Sequence, residues 1–85
     1  MVQCMSLSKS KTGDLIQVVT RNNRYLLRVV DPGNNQVIIS GGTRWVKPAT
    51  VMIYRDRIAV GAQLRVYEYH QKKDVLISDI RCIIV

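Results

Sequence analysis

Residues 14–31 read DLIQVVTRNNRYLLRVVD, and the alternation of side chains along this stretch decides the fold. Val, Ile, Leu and Tyr crowd residues 14–20 and 24–31, and a branched Cβ suits a pleated strand better than a helix. Asn22-Asn23 lies between the runs, and Asn is one of the few residues that tolerates positive φ, so a two-residue hairpin turn is expected there. That turn sets Arg21 opposite Arg24, Thr20 opposite Tyr25, Val18 opposite Leu27 and Ile16 opposite Val29. Ile16, Val18, Tyr25, Leu27 and Val29 then share one wholly apolar face, which is the core side. The opposite face is mixed, with Leu15, Val19, Leu26, Val30 and a Gln17–Arg28 pair. Leu15, Val19, Leu26 and Val30 are therefore candidates for self-association, since one small sheet does not easily cover them.

Downstream, Asp31-Pro32-Gly33-Asn34 places Pro where φ near −65° is wanted and Gly where positive φ is wanted, the pattern of a type II turn. Residues 36–40 (QVIIS) return as a third strand that Gly41-Gly42 ends. Residues 43–48 (TRWVKP) hold the only Trp and read as a binding loop, because Pro48 argues against a central strand. Residues 49–55, 58–61 and 63–69 supply further strands. Residues 75–85 finish the chain as one long strand broken near Ser78-Asp79, or as two, and this apolar end is expected to close the sheet. A three-residue loop before it would set Arg65 across from Asp79, whereas a four-residue loop would not. Regular short strands with turn signals, and no convincing helix, predict an all-β domain. It is a small antiparallel barrel or sandwich of roughly five to seven strands.

Upstream, residues 1–13 carry Ser, Lys, Thr and Gly with no apolar periodicity, and read as a flexible arm attached to one domain over residues 14–85. Cys4, Met5 and Leu7 leave room for a short edge strand there. Cys4 and Cys82 have neither a metal-ligand nor a CxxC spacing, so a reduced, cytoplasmic setting is expected. No signal peptide is expected, and no apolar run approaches the roughly 18 residues of a membrane span.

The chain of 85 residues carries 13 Lys and Arg against 6 Asp and Glu, a formal charge of +7. That balance favours acidic partners, nucleic acid above all, although it also serves solubility. Catalysis is not expected. His70, the single histidine, sits in a Lys-rich turn without an orienting partner, and the carboxylates fall mostly at strand ends and turns. Nothing in the sequence implies a cofactor or a metal. A binding surface remains. Arg65, Tyr67 and Tyr69 fall on one side of their strand, a platform suited to base stacking, and Arg44-Trp45-Val46-Lys47 sets an aromatic between two cations. Arg44, Trp45, Lys47, Arg55, Arg57, Arg65, Tyr67 and Tyr69 are the candidate contacts to RNA or single-stranded DNA.

Thr20-Arg21-Asn22-Asn23-Arg24-Tyr25, Gly41-Gly42, Val60-Gly61-Ala62-Gln63-Leu64 and Ile77-Ser78-Asp79-Ile80 resemble segments of a group of small bacterial all-β proteins. The resemblance covers most of residues 14–85 and implies a compact β fold, with no activity attached. Size and strand count also resemble the Sm-like RNA-binding barrels, with Asp31, Asn34-Asn35 and Val37 near their first motif. Ile77-Ser78-Asp79 lacks the Arg and Gly of their second motif, so only the barrel analogy carries over. The expected function is a non-catalytic binding module for RNA or single-stranded nucleic acid. The alternative is a protein-interaction or homo-oligomeric module.

Overall fold

A computed structural model describes residues 2–85. The strands are β1 (Cys4–Ser6), β2 (Leu15–Thr20), β3 (Arg24–Asp31), β4 (Gln36–Gly41), β5 (Trp45–Ile53), β6 (Arg57–Ala59), β7 (Leu64–Glu68), β8 (Lys73–Ile77) and β9 (Ile80–Ile84). One antiparallel sheet of 7 strands, in the order β8-β7-β5-β4-β3-β2-β9, curls into a half-barrel, and β1 pairs with β6 in a small second sheet. The all-β barrel reading holds. Among the described residues no helix is long and apolar enough to cross a membrane.

The sheet's two outermost strands, β8 and β9, are separated only by Ser78 and Asp79. Three Cα steps bring Ile77 and Ile80 within about 11 Å of one another. The sheet therefore curls until its edges nearly meet, and β9 closes it on β2 through Val18↔Ile83 and Gln17↔Ile84. Inside lie Ile16, Val18, Leu27, Val29, Val37, Ile39, Val51, Ile53, Val66 and Ile83, all fully buried. The period-two pattern of the first hairpin thus identified the core face correctly.

Its register differs from expectation. Val18 pairs with Tyr25, Ile16 with Leu27 and Leu15 with Arg28. The turn closes one residue earlier, where the Thr20 amide donates to the Asn23 carbonyl at 2.8 Å and the Thr20 hydroxyl accepts the Asn23 amide at 3.3 Å. With that hydroxyl serving the turn, neither Asn22 nor Asn23 adopts positive φ. A slip of two residues preserves side-chain parity, so the faces survive. The Pro32 turn is likewise a short 3-10 turn over Pro32–Asn34, and Asn35 rather than Gly33 takes the left-handed conformation, at φ 55°. The β7–β8 loop has four residues, since Glu68 pairs with Lys73 and Arg65 with Leu76.

In the segment read as an arm, the described residues from Val2 onward pack onto the domain; Met1 lies outside the described residues. Val2 bridges to Ile83, β1 pairs with β6, and Leu7 is fully buried in the main core. Asp56 clamps the segment by accepting from the Ser8 amide at 2.7 Å and its hydroxyl at 3.0 Å. The short edge strand for which Cys4 and Met5 left room is β1, while Leu7, a single leucine flanked by serines, gives no periodicity that would have announced its burial.

Pro48 is the other departure: it lies within β5. β5 follows β4 along its length but pairs with β7 only over Val51, Met52 and Ile53. At Pro48 the second edge of β5 has no ladder partner, so the missing N–H is tolerated. Val51↔Glu68 is the last pair because β7 ends there, and a cleft lies between the unpaired part of β5 and the loop that follows β7.

Candidate nucleic-acid interface

On β7 the alternation is strict. Leu64, Val66 and Glu68 turn inward and are buried, while Arg65 and Tyr67 face out. Tyr69 follows in the loop, and its ring meets Tyr67 edge-on, with centroids 5.5 Å apart and planes at 84°. Its hydroxyl accepts a hydrogen bond from Gln36 Nε2 at 3.1 Å. The Arg65 guanidinium lies 5.3 Å from the centre of the Tyr54 ring and bridges to Asp74 at 3.3 Å. Both partners are well exposed, so this ion pair contributes at most about 1 kcal/mol. The Tyr54 hydroxyl donates to Asp74 Oδ1, and that bond holds the Tyr54 pKa above its ordinary value of 10.0. The result is a strip of exposed Tyr54, Arg65 and Tyr69 and half-buried Tyr67 across the outer face beside β5. Arg55 and Arg57 continue it around a small pocket shared with Tyr54 and Arg65. Arg57 also reaches back to Cys4 Sγ at 3.1 Å.

At the other end of β7 lies the cleft that Pro48 helps to open. It has a volume of ≈ 740 Å³, with Arg44, Lys47, Tyr69 and His70 among its exposed walls. Trp45 and Glu68 also line it, although they are only 3% and 4% exposed. Trp45 Nε1 and Glu68 Oε2 are buried, and neither has a hydrogen-bond partner among the described residues. Lys73 stands across from Glu68 in the ladder without forming an ion pair to it. Leaving such groups unsatisfied costs roughly 1–3 kcal/mol each, more for a charge.

Trp45 therefore differs from expectation. Its ring packs edge-on against Tyr25, with centroids 5.8 Å apart, as part of the core, and so offers no exposed stacking surface. Arg44 remains 6.0 Å from its centroid. Arg44 and Lys47 gather at the cleft, Arg65, Tyr67 and Tyr69 on the strip, and Arg55 and Arg57 at its far end. Glu68 was missed. The signal was present, because it follows Leu64 and Val66 at period two on the inward face. His70 is exposed in its turn, and among the described residues no group of His, Cys, Asp and Glu could hold a metal ion.

On the outer face of β2 and β3, Leu15, Leu26 and Val30 are 50%, 42% and 37% exposed, while Val19 is half-buried. Leu15 and Leu26 line a shallow groove of ≈ 350 Å³ with Ile38 and Pro48.

No family model, no curated protein and no solved structure matches the chain.

Proposed function

We propose that the chain binds single-stranded nucleic acid, RNA or DNA, and performs no chemistry on it. The reading rests on one observation. Half-buried Tyr67 on β7 and exposed Tyr69 in its loop lie flanked at both ends by cations, with Arg44 and Lys47 at the cleft and Arg55, Arg57 and Arg65 at the far pocket. Bases stack on aromatic faces, and cations along the same line neutralise the backbone that joins them. Asp74 neutralises part of Arg65 but leaves its guanidinium well exposed. A fluorescent oligonucleotide titrated at low and moderate salt tests the reading. Binding that weakens steeply with salt, and weakens again in a Tyr67→Ala, Tyr69→Ala double variant, is the expected outcome. Absence of binding at low salt overturns it.

A second reading is self-association through Leu15, Val19, Leu26 and Val30, favoured by the shallow apolar groove beside Leu15 and Leu26. Sedimentation across a wide concentration range tests it. A dimer that Leu26→Lys dissociates supports it, and a strict monomer at the highest concentration removes it.

A further inference from the structure

The cleft between β5 and the β7–β8 loop has an unusual distribution of polar groups. At its rim stand two cations, Arg44 and Lys47. Trp45 and Glu68, each more than nine-tenths buried, also line it, and each carries a buried polar atom, an indole N–H and a carboxylate oxygen, with no hydrogen-bond partner among the described residues. A ligand suited to this arrangement must donate to Glu68, accept from Trp45 and present negative charge at the mouth. An organic cation meets the first demand but is repelled by the rim. A simple anion meets the last but is repelled by Glu68. A nucleotide separates the two: N–H donors and acceptors on the base edge, phosphate at the other end.

We propose that this cleft holds a guanine base. Guanine's N1–H and N2 amino group give the carboxylate two adjacent donors, and its O6 beside them accepts from the indole N–H. Adenine and cytosine offer a carboxylate only one amino group on that edge, and uracil a single ring N–H. Tyr69 on the cleft wall supplies a face for stacking, and Arg44 and Lys47 take the phosphate. Both polar atoms are sealed from solvent, so insertion of the base requires side chains of the cleft to turn aside, and Lys47 and Gln71 are long and exposed. The proposal deepens the strand-binding reading and rests on it only where the base belongs to a longer chain.

Trp45 is the sole tryptophan, so its emission reports on the cleft directly. The full chain is titrated with GMP, AMP, CMP, UMP and inorganic phosphate, and with short oligonucleotides that differ by a single guanine. The expected result is quenching by GMP with affinity about tenfold or more above the other nucleotides. Glu68→Gln, which keeps shape and swaps a carboxylate for an amide, abolishes that preference. Trp45→Phe, followed by calorimetry, weakens GMP binding while circular dichroism confirms the fold. Saturation by free GMP without a gain in the oligonucleotide series identifies a nucleotide site, and the reverse identifies a base read within a strand. Equal affinity for all bases, a preference that survives Glu68→Gln, or competition by phosphate alone overturns the proposal. Salt-sensitive binding of guanine-free oligonucleotides alongside such a failure leaves the strand-binding reading standing. GMP binding without any oligonucleotide binding does the converse.

Discussion

A methyl group added at Gly41 would lie 2.3 Å from the Arg24 carbonyl oxygen, on a backbone at φ 110°. Neither the β3 backbone nor the turn can yield cheaply, so Gly41→Ala is expected to destabilise by roughly 2–4 kcal/mol, read as a fall in thermal midpoint of about 10 °C or more. Glu68 presents the opposite case. One of its oxygens is buried without a partner among the described residues, so Glu68→Leu is expected to raise the midpoint in chemical denaturation by the equivalent of about 1–3 kcal/mol. A residue that costs stability where it stands is held there by something other than packing. At Tyr54 the expectation concerns protons. Its raised pKa comes first from the hydrogen bond to Asp74, so the phenol titrates above 10.0 by absorbance, and Asp74→Asn brings it back down. The folded state holds this proton more tightly than the unfolded one. The associated stability is therefore complete below pH 10.0 and is lost as pH rises through the folded value.

Among the elements, β1 and the 3-10 turn at Leu7–Lys9 are the most economical test of how the N-terminal segment packs. Leu7 is fully buried, so Leu7→Ala is expected to cost about 2–5 kcal/mol in equilibrium unfolding. A segment with little to bury would lose almost nothing. The β7–β8 hairpin allows stability and binding to be separated. Arg65→Ala removes an exposed ion pair and a contact with the exposed Tyr54 ring, so its unfolding midpoint changes little while its oligonucleotide affinity falls. Period two carried the reading of β2, β3 and β7, since parity alone assigns the faces, and it survives a slip of two residues. It did not carry β5. A proline and the irregular register between Ile39 and Gly41 broke the alternation, so Trp45 read as a loop residue although it shares the inward side with Val51 and Ile53. The cleft was not legible for a related reason. It exists because two strands stop pairing, and a sequence records pairing only through the residues that favour it. The basic, aromatic strip was legible because Arg65, Tyr67 and Tyr69 sit at alternate positions along β7 and the first residue of its loop.

For the molecule as a whole, the charge of +7 is spread over several faces, and the cations flanking the tyrosines set the expected response to salt. If Arg44, Lys47, Arg55, Arg57 and Arg65 each meet a phosphate, log affinity falls against log salt with a slope no steeper than about −3.5. Replacing Arg44 and Lys47 together should make that slope shallower by about 1.4. A slope near zero in the unaltered chain would disconnect the charge from binding altogether. The short Ser78-Asp79 link has a different kind of consequence, in the order of synthesis. Hairpins from β2 to β5 can assemble as the ribosome delivers them, but Thr20 waits for Ile80, which emerges only after β3 to β8. Until then the free margin of β2 is a template for any passing strand. A chain stopped after Ile77 should accumulate in inclusion bodies, whereas one that includes β9 seals that margin itself.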